Sequence, residues 1–355
     1  MQSNKLAEPV DLADLRSMSC RIGRNPALVH GSGGNTSVKD GNILWVKASG
    51  TWLANAEKQD IMVPVDLPTV QRMIRSGEND FKDATLHGTL HPSIETSLHC
   101  LFNHHVVVHV HSVNAIAWNV QVGAQKQLGE ILKQINWRYI PYAKPGASLT
   151  AEVASMLNEE SATPSLLILE NHGLVVGAET CAAVESLLAD VELKLQKPER
   201  STKNPNTRTL ASAIKSLEGW RLPATTDIHK IALDEEAINI VTTGALIPDH
   251  AVFLKNKVPV CNSPSEIPKT IDKYHSMFDV DPDWIIVRNA GVILSERIGA
   301  AGESQLIGLA MITLRIPPHS NVKFIDEHAA DDLRAWDAEK YRKKLDDELS
   351  KITKE

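Results

Sequence analysis

A chain of 355 residues, 43% hydrophobic and 23% charged, has the length for two domains with substantial cores and the make-up of an ordinary globular protein. Its formal charge of -7 argues against a general nucleic-acid surface, which needs clustered Lys and Arg, though a local basic pocket for a small phosphate stays open. No apolar run reaches membrane-spanning length, Met1 to Cys20 holds Glu8, Asp11, Asp14 and Arg16 where a signal peptide would be apolar, and Cys20, Cys100, Cys181 and Cys261 form no C-x-x-C; a cytoplasmic chain with reduced thiols and no membrane or nucleic-acid partner is expected.

Leu6 to Gly23 has Leu12, Leu15, Met18 and Ile22 at helical spacing, with Gly23 placed to end the helix. Val29-His-Gly-Ser-Gly-Gly-Asn-Thr-Ser follows, then two strand-like runs around the hairpin dipeptide Asp40-Gly41. The glycines let backbone approach a ligand, and Asn35, Thr36 and Ser37 offer donors to an oxyanion; a flexible hairpin entry with no ligand is the simpler alternative. A dinucleotide fingerprint is excluded, since a strand and not a helix comes next, and no P-loop Gly-Lys-Ser/Thr follows. Lys47-Ala-Ser-Gly50 repeats the pairing of glycine and hydroxyl at the end of the returning strand; Lys47 is chemically able to form a Schiff base, but an anion-pairing or solvated role is commoner for a lone lysine.

Ile61 to Asp66 reads as a strand and Leu67 to Ile74 as a short helix. Pro92 suits the first turn of a helical segment, Ile94 to Leu101, that carries the candidate base Glu95. Val106 to Val110 is β-branched and apolar apart from His109, so a buried strand is predicted, with His109 and His111 on one face. Buried imidazoles need partners, and one divalent cation serves two at once, yet H-x-H alone is a short pattern. Helices are predicted over Val113 to Val122, Lys126 to Ile135 and Leu149 to Leu157. Leu166-Leu-Ile-Leu-Glu-Asn-His-Gly then delivers a third imidazole, His172, at a strand end, which matches an open three-ligand catalytic zinc site. Cys181 to Leu195 is a further helix.

Gly34-Asn-Thr-Ser37, Ala48-Ser-Gly50, Pro92-Ser-Ile-Glu95, His109-Val-His111 and His172-Gly173, in this order, resemble the class II aldolase/adducin family over roughly residues 6 to 196. The resemblance implies a three-layer α/β/α domain with a largely antiparallel central sheet, in a homo-oligomer such as a tetramer. It implies His109, His111 and His172 as ligands of Zn2+, Mn2+, Co2+ or Fe2+, Glu95 as acid/base, and Asn35, Ser49, Gly50 and Ser93 facing the phosphate or carboxylate of a small-molecule substrate. Ile94 stands where phosphate-using relatives tend to have a second serine, which leaves room for a carboxylate. The tyrosine acid of those aldolases has no counterpart between Lys126 and Ile135, and Tyr139 and Tyr142 are weak substitutes.

The chain is therefore expected to divide into 1-196, the metal-binding domain; 197-224, a linker and helix; 225-326, a smaller second α/β domain; and 327-355, a charged, solvent-facing C-terminal helix. Pro282-Asp-Trp-Ile-Ile-Val-Arg-Asn-Ala-Gly lies on Pro164-Ser-Leu-Leu-Ile-Leu-Glu-Asn-His-Gly without a gap, so the second domain reads as a degenerate repeat with Ala290 in place of His172; chance alignment of any strand, Asn-x-Gly turn and helix is the alternative. His250, in Gly244-Ala-Leu-Ile-Pro-Asp-His, reads as a loop residue. The function expected is a divalent-metal aldolase-type lyase acting on a hydroxy-carbonyl compound through a metal-stabilised enediolate. Epimerase or decarboxylase chemistry at the same site, or a non-catalytic adducin-like assembly or sensor role, are the alternatives.

Overall fold

Short β-branched runs bounded by Gly, Pro and Asp set the strands of the first unit: β1 (Asn35–Asp40), β2 (Ile43–Lys47), β3 (Met62–Asp66), β4 (Val106–Val110), β5 (Trp137–Ile140), β6 (Leu166–Leu169) and β7 (Gly173–Ala178). A computed structural model describes residues 6–160, 162–255 and 257–352 and divides them into two compact units, one reaching Asn119 and including Gly123–Gln196, the other Val120–Val122 and the chain from Lys197 onward. The seven strands form one sheet in the order β3-β2-β1-β4-β7-β6-β5, antiparallel throughout except for the β5–β6 pair.

Period-two alternation gives that sheet two apolar faces, each covered by helices. Val38, Val106, Val108, Leu174 and Val176 pack with Leu12–Gly23, Val113–Asn119, Ala124–Ile131 and Cys181–Leu195; on the other face Leu44, Val46, Val107, Leu167 and Val175 pack with Leu67–Arg75, Thr96–Leu101 and Ala147–Asn158. This is the expected α/β/α arrangement. The first helix starts at Leu12, not Leu6, and Asp66 caps Leu67–Arg75 by accepting from Thr69 N at 2.9 Å. Among the described residues no helix is long and apolar enough to cross a membrane.

The turn from β6 into β7 aims His172 and brings two backbones close together. Asn171 takes a left-handed φ of 51° there, and a Cβ on Gly173 would lie 2.3 Å from the carbonyl oxygen of Val110. Gly173→Ala should therefore cost about 1–3 kcal/mol of stability by urea titration, because neither backbone can yield without breaking the β4–β7 ladder.

The second unit has a four-stranded sheet of β8 (Trp220–Arg221), β9 (Val260–Cys261), β10 (Trp284–Val287) and β11 (Gly291–Ser295), in the order β8-β11-β10-β9. Its directions copy those of β4-β7-β6-β5: antiparallel, antiparallel, parallel. The register agrees residue by residue, with Trp284↔Leu294 and Val287↔Gly291 against Leu166↔Val176 and Leu169↔Gly173. Asn289, at the place of Asn171, is likewise left-handed, with φ 56°.

Two expectations for this unit need correction. His250 is not in a loop but in the helix Pro248–Phe253, buried, because Pro248 starts a helix directly after the turn. The charged C-terminal stretch is two helices, Glu327–Ala335 and Asp337–Ile352, and the second is not wholly solvent-facing. Arg342 is buried and reaches Asp249 at 3.0 Å and Glu339 at 2.9 Å. Burial would lower the guanidinium's pKa, but these two carboxylates outweigh it and raise it. Arg342→Met strands both acids in the interior, so a loss of about 3–5 kcal/mol is expected in urea unfolding of the full chain.

Candidate metal centre

Three strands meet at the candidate site. Asn35 at the start of β1 is the register partner of His109 near the end of β4, so their side chains share a face. His111 lies just past the end of β4, and β7 pairs with β4 through Val110↔Leu174, which places His172 beside both. His109, His111 and His172 are buried, and their ligand nitrogens all lie within 4.8 Å of one another.

The donor set fits a divalent cation. His109 Nδ1 donates to the Leu174 carbonyl at 2.9 Å, which fixes the tautomer and leaves Nε2 with its lone pair toward the cluster. That Nε2 faces His111 Nε2 at 3.1 Å. Two imidazole nitrogens bound at about 2.1 Å to a tetrahedral ion stand about 3.4 Å apart, close to the spacing of this pair.

Glu95, at the N-terminal end of the short helix Thr96–Leu101, closes the cluster. Its Oε2 lies 3.5 Å from His109 Nε2 and its Oε1 lies 3.5 Å from His172 Nε2. Oε2 accepts from Asn35 Nδ2 at 2.8 Å, whereas Oε1 is buried with no hydrogen-bond partner. Burial pushes this carboxyl up, but His109, His172, the Asn35 amide and His111 together outweigh it and hold the group down at about 2.

The serines converge from two segments. Lys47-Ala48-Ser49 runs antiparallel to His91-Pro92-Ser93, tied by Ser49 N to the His91 carbonyl at 2.8 Å and Ser93 N to the Lys47 carbonyl at 3.1 Å. Ser93 Oγ then takes Asn35 Nδ2 at 3.3 Å and Glu95 N at 3.2 Å. Gly50, with φ 74°, follows Ser49 out of this clamp. All eight residues singled out in the sequence, Asn35, Ser49, Gly50, Ser93, Glu95, His109, His111 and His172, are buried, and direct contacts join Asn35, Ser93, Glu95 and the imidazoles.

Lys47 has a role the sequence left undecided. Its buried ammonium donates to the carbonyls of Ser32 at 2.8 Å and Gly34 at 3.0 Å, so it braces the glycine loop. Tyr139 donates to Glu170 Oε1 at 3.0 Å. The residue that sequence reasoning missed is His99, buried between Ser37 and Asn35. Its spacing of one helical turn from Glu95 was the available signal.

The model of the class II aldolase and adducin N-terminal domain matches residues 17–193. The first unit belongs to that family. This class II aldolase domain is 27% identical over 168 residues to the L-fuculose phosphate aldolase of Methanococcus maripaludis strain S2, a match spanning 44% of this chain and 78% of that protein. The enzyme of the same name from strain C7 is 29% identical over 163 residues, again 44% and 78%. Among solved structures, the N-terminal class II aldolase domain of a Thermoplasma acidophilum protein is 22% identical, with a TM-score of 0.46 over 55% of this chain and 97% of that one.

Proposed function

We propose that the chain is a divalent-metal-dependent aldolase-type lyase that breaks or forms a carbon-carbon bond in a small hydroxy-carbonyl compound, a sugar phosphate or sugar acid. The observation that carries this reading is the buried three-imidazole cluster with a carboxylate 3.5 Å from two of its nitrogens, inside a class II aldolase domain. His109, His111 and His172 would hold the ion, which when bound supplies the positive charge that lowers the cost of an enediolate. Glu95 takes and returns the proton at Oε1, the oxygen with no hydrogen-bond partner, while Asn35 restrains Oε2. Ser49 and Ser93, with the backbone at Gly50, would receive the phosphate or carboxylate end of the substrate, a reading supported by the main-chain bonds that hold the two serine segments side by side.

The second unit supports one such centre per chain. If it is a degenerate copy, the register sets Arg221 at the place of Val108, so Leu222 and Ala224 stand for His109 and His111, and Ala290 for His172. None of these three can bind a metal.

L-Fuculose phosphate is the first substrate to test, followed by other sugar phosphates and sugar acids. Two carbonyl fragments identify the lyase. An isomer or released carbon dioxide redirects the reading to epimerase or decarboxylase, and a chain that holds no metal even after incubation with zinc overturns it.

A further inference from the structure

Glu95 sits at the end of a chain of directed hydrogen bonds. A carboxylate only accepts, so the Asn35 amide that reaches Glu95 Oε2 at 2.8 Å must present its NH2 there and turn Oδ1 the other way. Oδ1 meets Nε2 of His99. That nitrogen must carry a proton, which leaves Nδ1 to accept from Ser37 Oγ at 2.7 Å. Each role fixes the next. Local geometry supplies the spacing, since Asn35 and Ser37 share a face of β1 and His99 lies one helical turn after Glu95. Ser37 and His99 are both 0% exposed, so water does not compete.

We propose that His99, backed by Ser37, is a positioning residue that holds the Asn35 amide the right way round and so keeps Glu95 bound through Oε2, with Oε1 left without a hydrogen bond beside His172. The proposal rests on the lyase reading, because the work of Glu95 as a base belongs to it. With Asn35 flipped, its oxygen would oppose a carboxylate oxygen, and the His99–Ser37 pair would have to reverse its proton order to meet the NH2. His99 tethers Oδ1 from a position outside the three-imidazole cluster. Burial above all keeps the ring neutral, holding it at about 3 against the upward pull of the Glu95 charge.

The test compares metal-loaded wild-type protein with His99→Leu, which cannot donate to Asn35, and His99→Gln, whose amide can. Metal per chain, the ¹⁵N–¹H spectrum of the histidine rings, and exchange of the α-proton of dihydroxyacetone phosphate in heavy water are measured. Expected are a neutral ring protonated on Nε2 that is lost in His99→Leu, and unchanged metal in both variants. Exchange kcat in His99→Leu should fall about tenfold to a hundredfold with KM within about twofold, and His99→Gln should recover to within about threefold. A proton on Nδ1, or an unchanged kcat in His99→Leu, overturns the proposal. If His99→Leu does not fold, His99→Asn, whose amide is too short to reach Asn35, takes its place with the same expected loss. Should the wild-type protein exchange no proton of dihydroxyacetone phosphate, that compound is excluded as the substrate fragment, and the ring spectrum alone then decides whether His99 orients Asn35.

Discussion

Glu95→Gln is expected to lower turnover about 10²–10⁴-fold while the metal stays bound. The amide matches the carboxylate in shape and can still accept from Asn35 through its oxygen, so the site keeps its form. What it lacks is a basic oxygen at the position of Oε1, where the partnerless atom sits 3.5 Å from His172 Nε2. Elemental mass spectrometry and steady-state kinetics on the same preparation separate the two roles. Loss of metal in Glu95→Gln would make the carboxylate a ligand, and preserved turnover would remove it from the chemistry altogether.

The second large effect concerns the ion itself. Untagged protein purified without added metal should carry about one zinc, manganese, iron or cobalt ion per chain, and His172→Ala should carry almost none, because the variant keeps only two of the three clustered imidazoles. Turnover should be lost with it. Added zinc should raise the melting temperature of the wild-type chain, since an ion bound only by the folded state at about a thousand times its Kd adds about 4 kcal/mol, and should leave His172→Ala unmoved. Equal metal in both proteins would exclude the three-histidine cluster as the binding site.

Much of the centre was legible in the chain because its logic is local. The alternation of Val106 to Val110 projects His109 and His111 from one face, and the Asn-His-Gly turn delivers His172; both readings need only strand period and turn chemistry. The layered domain was legible for the same reason. Lys47 was undecided because a lysine at a strand end is assigned to a face only by the register of its neighbours, here Met62 across β2–β3. His99 went unread since a histidine on a buried helix face is commonplace until Asn35 is known to lie against it. Arg342 and Asp249 lie far apart in sequence, and no pattern in a charged tail marks which of its cations turns inward.

The clamp between Lys47-Ala48-Ser49 and His91-Pro92-Ser93 bears on how such a protein changes its diet. Main-chain bonds set the spacing of these segments, so that spacing does not depend on the side chains they carry. Ser49 lies on this clamp and Ile94 directly after it, and neither belongs to the three-imidazole cluster. Mutational drift at these two positions can therefore proceed while the clamp and the cluster behind it are inherited intact.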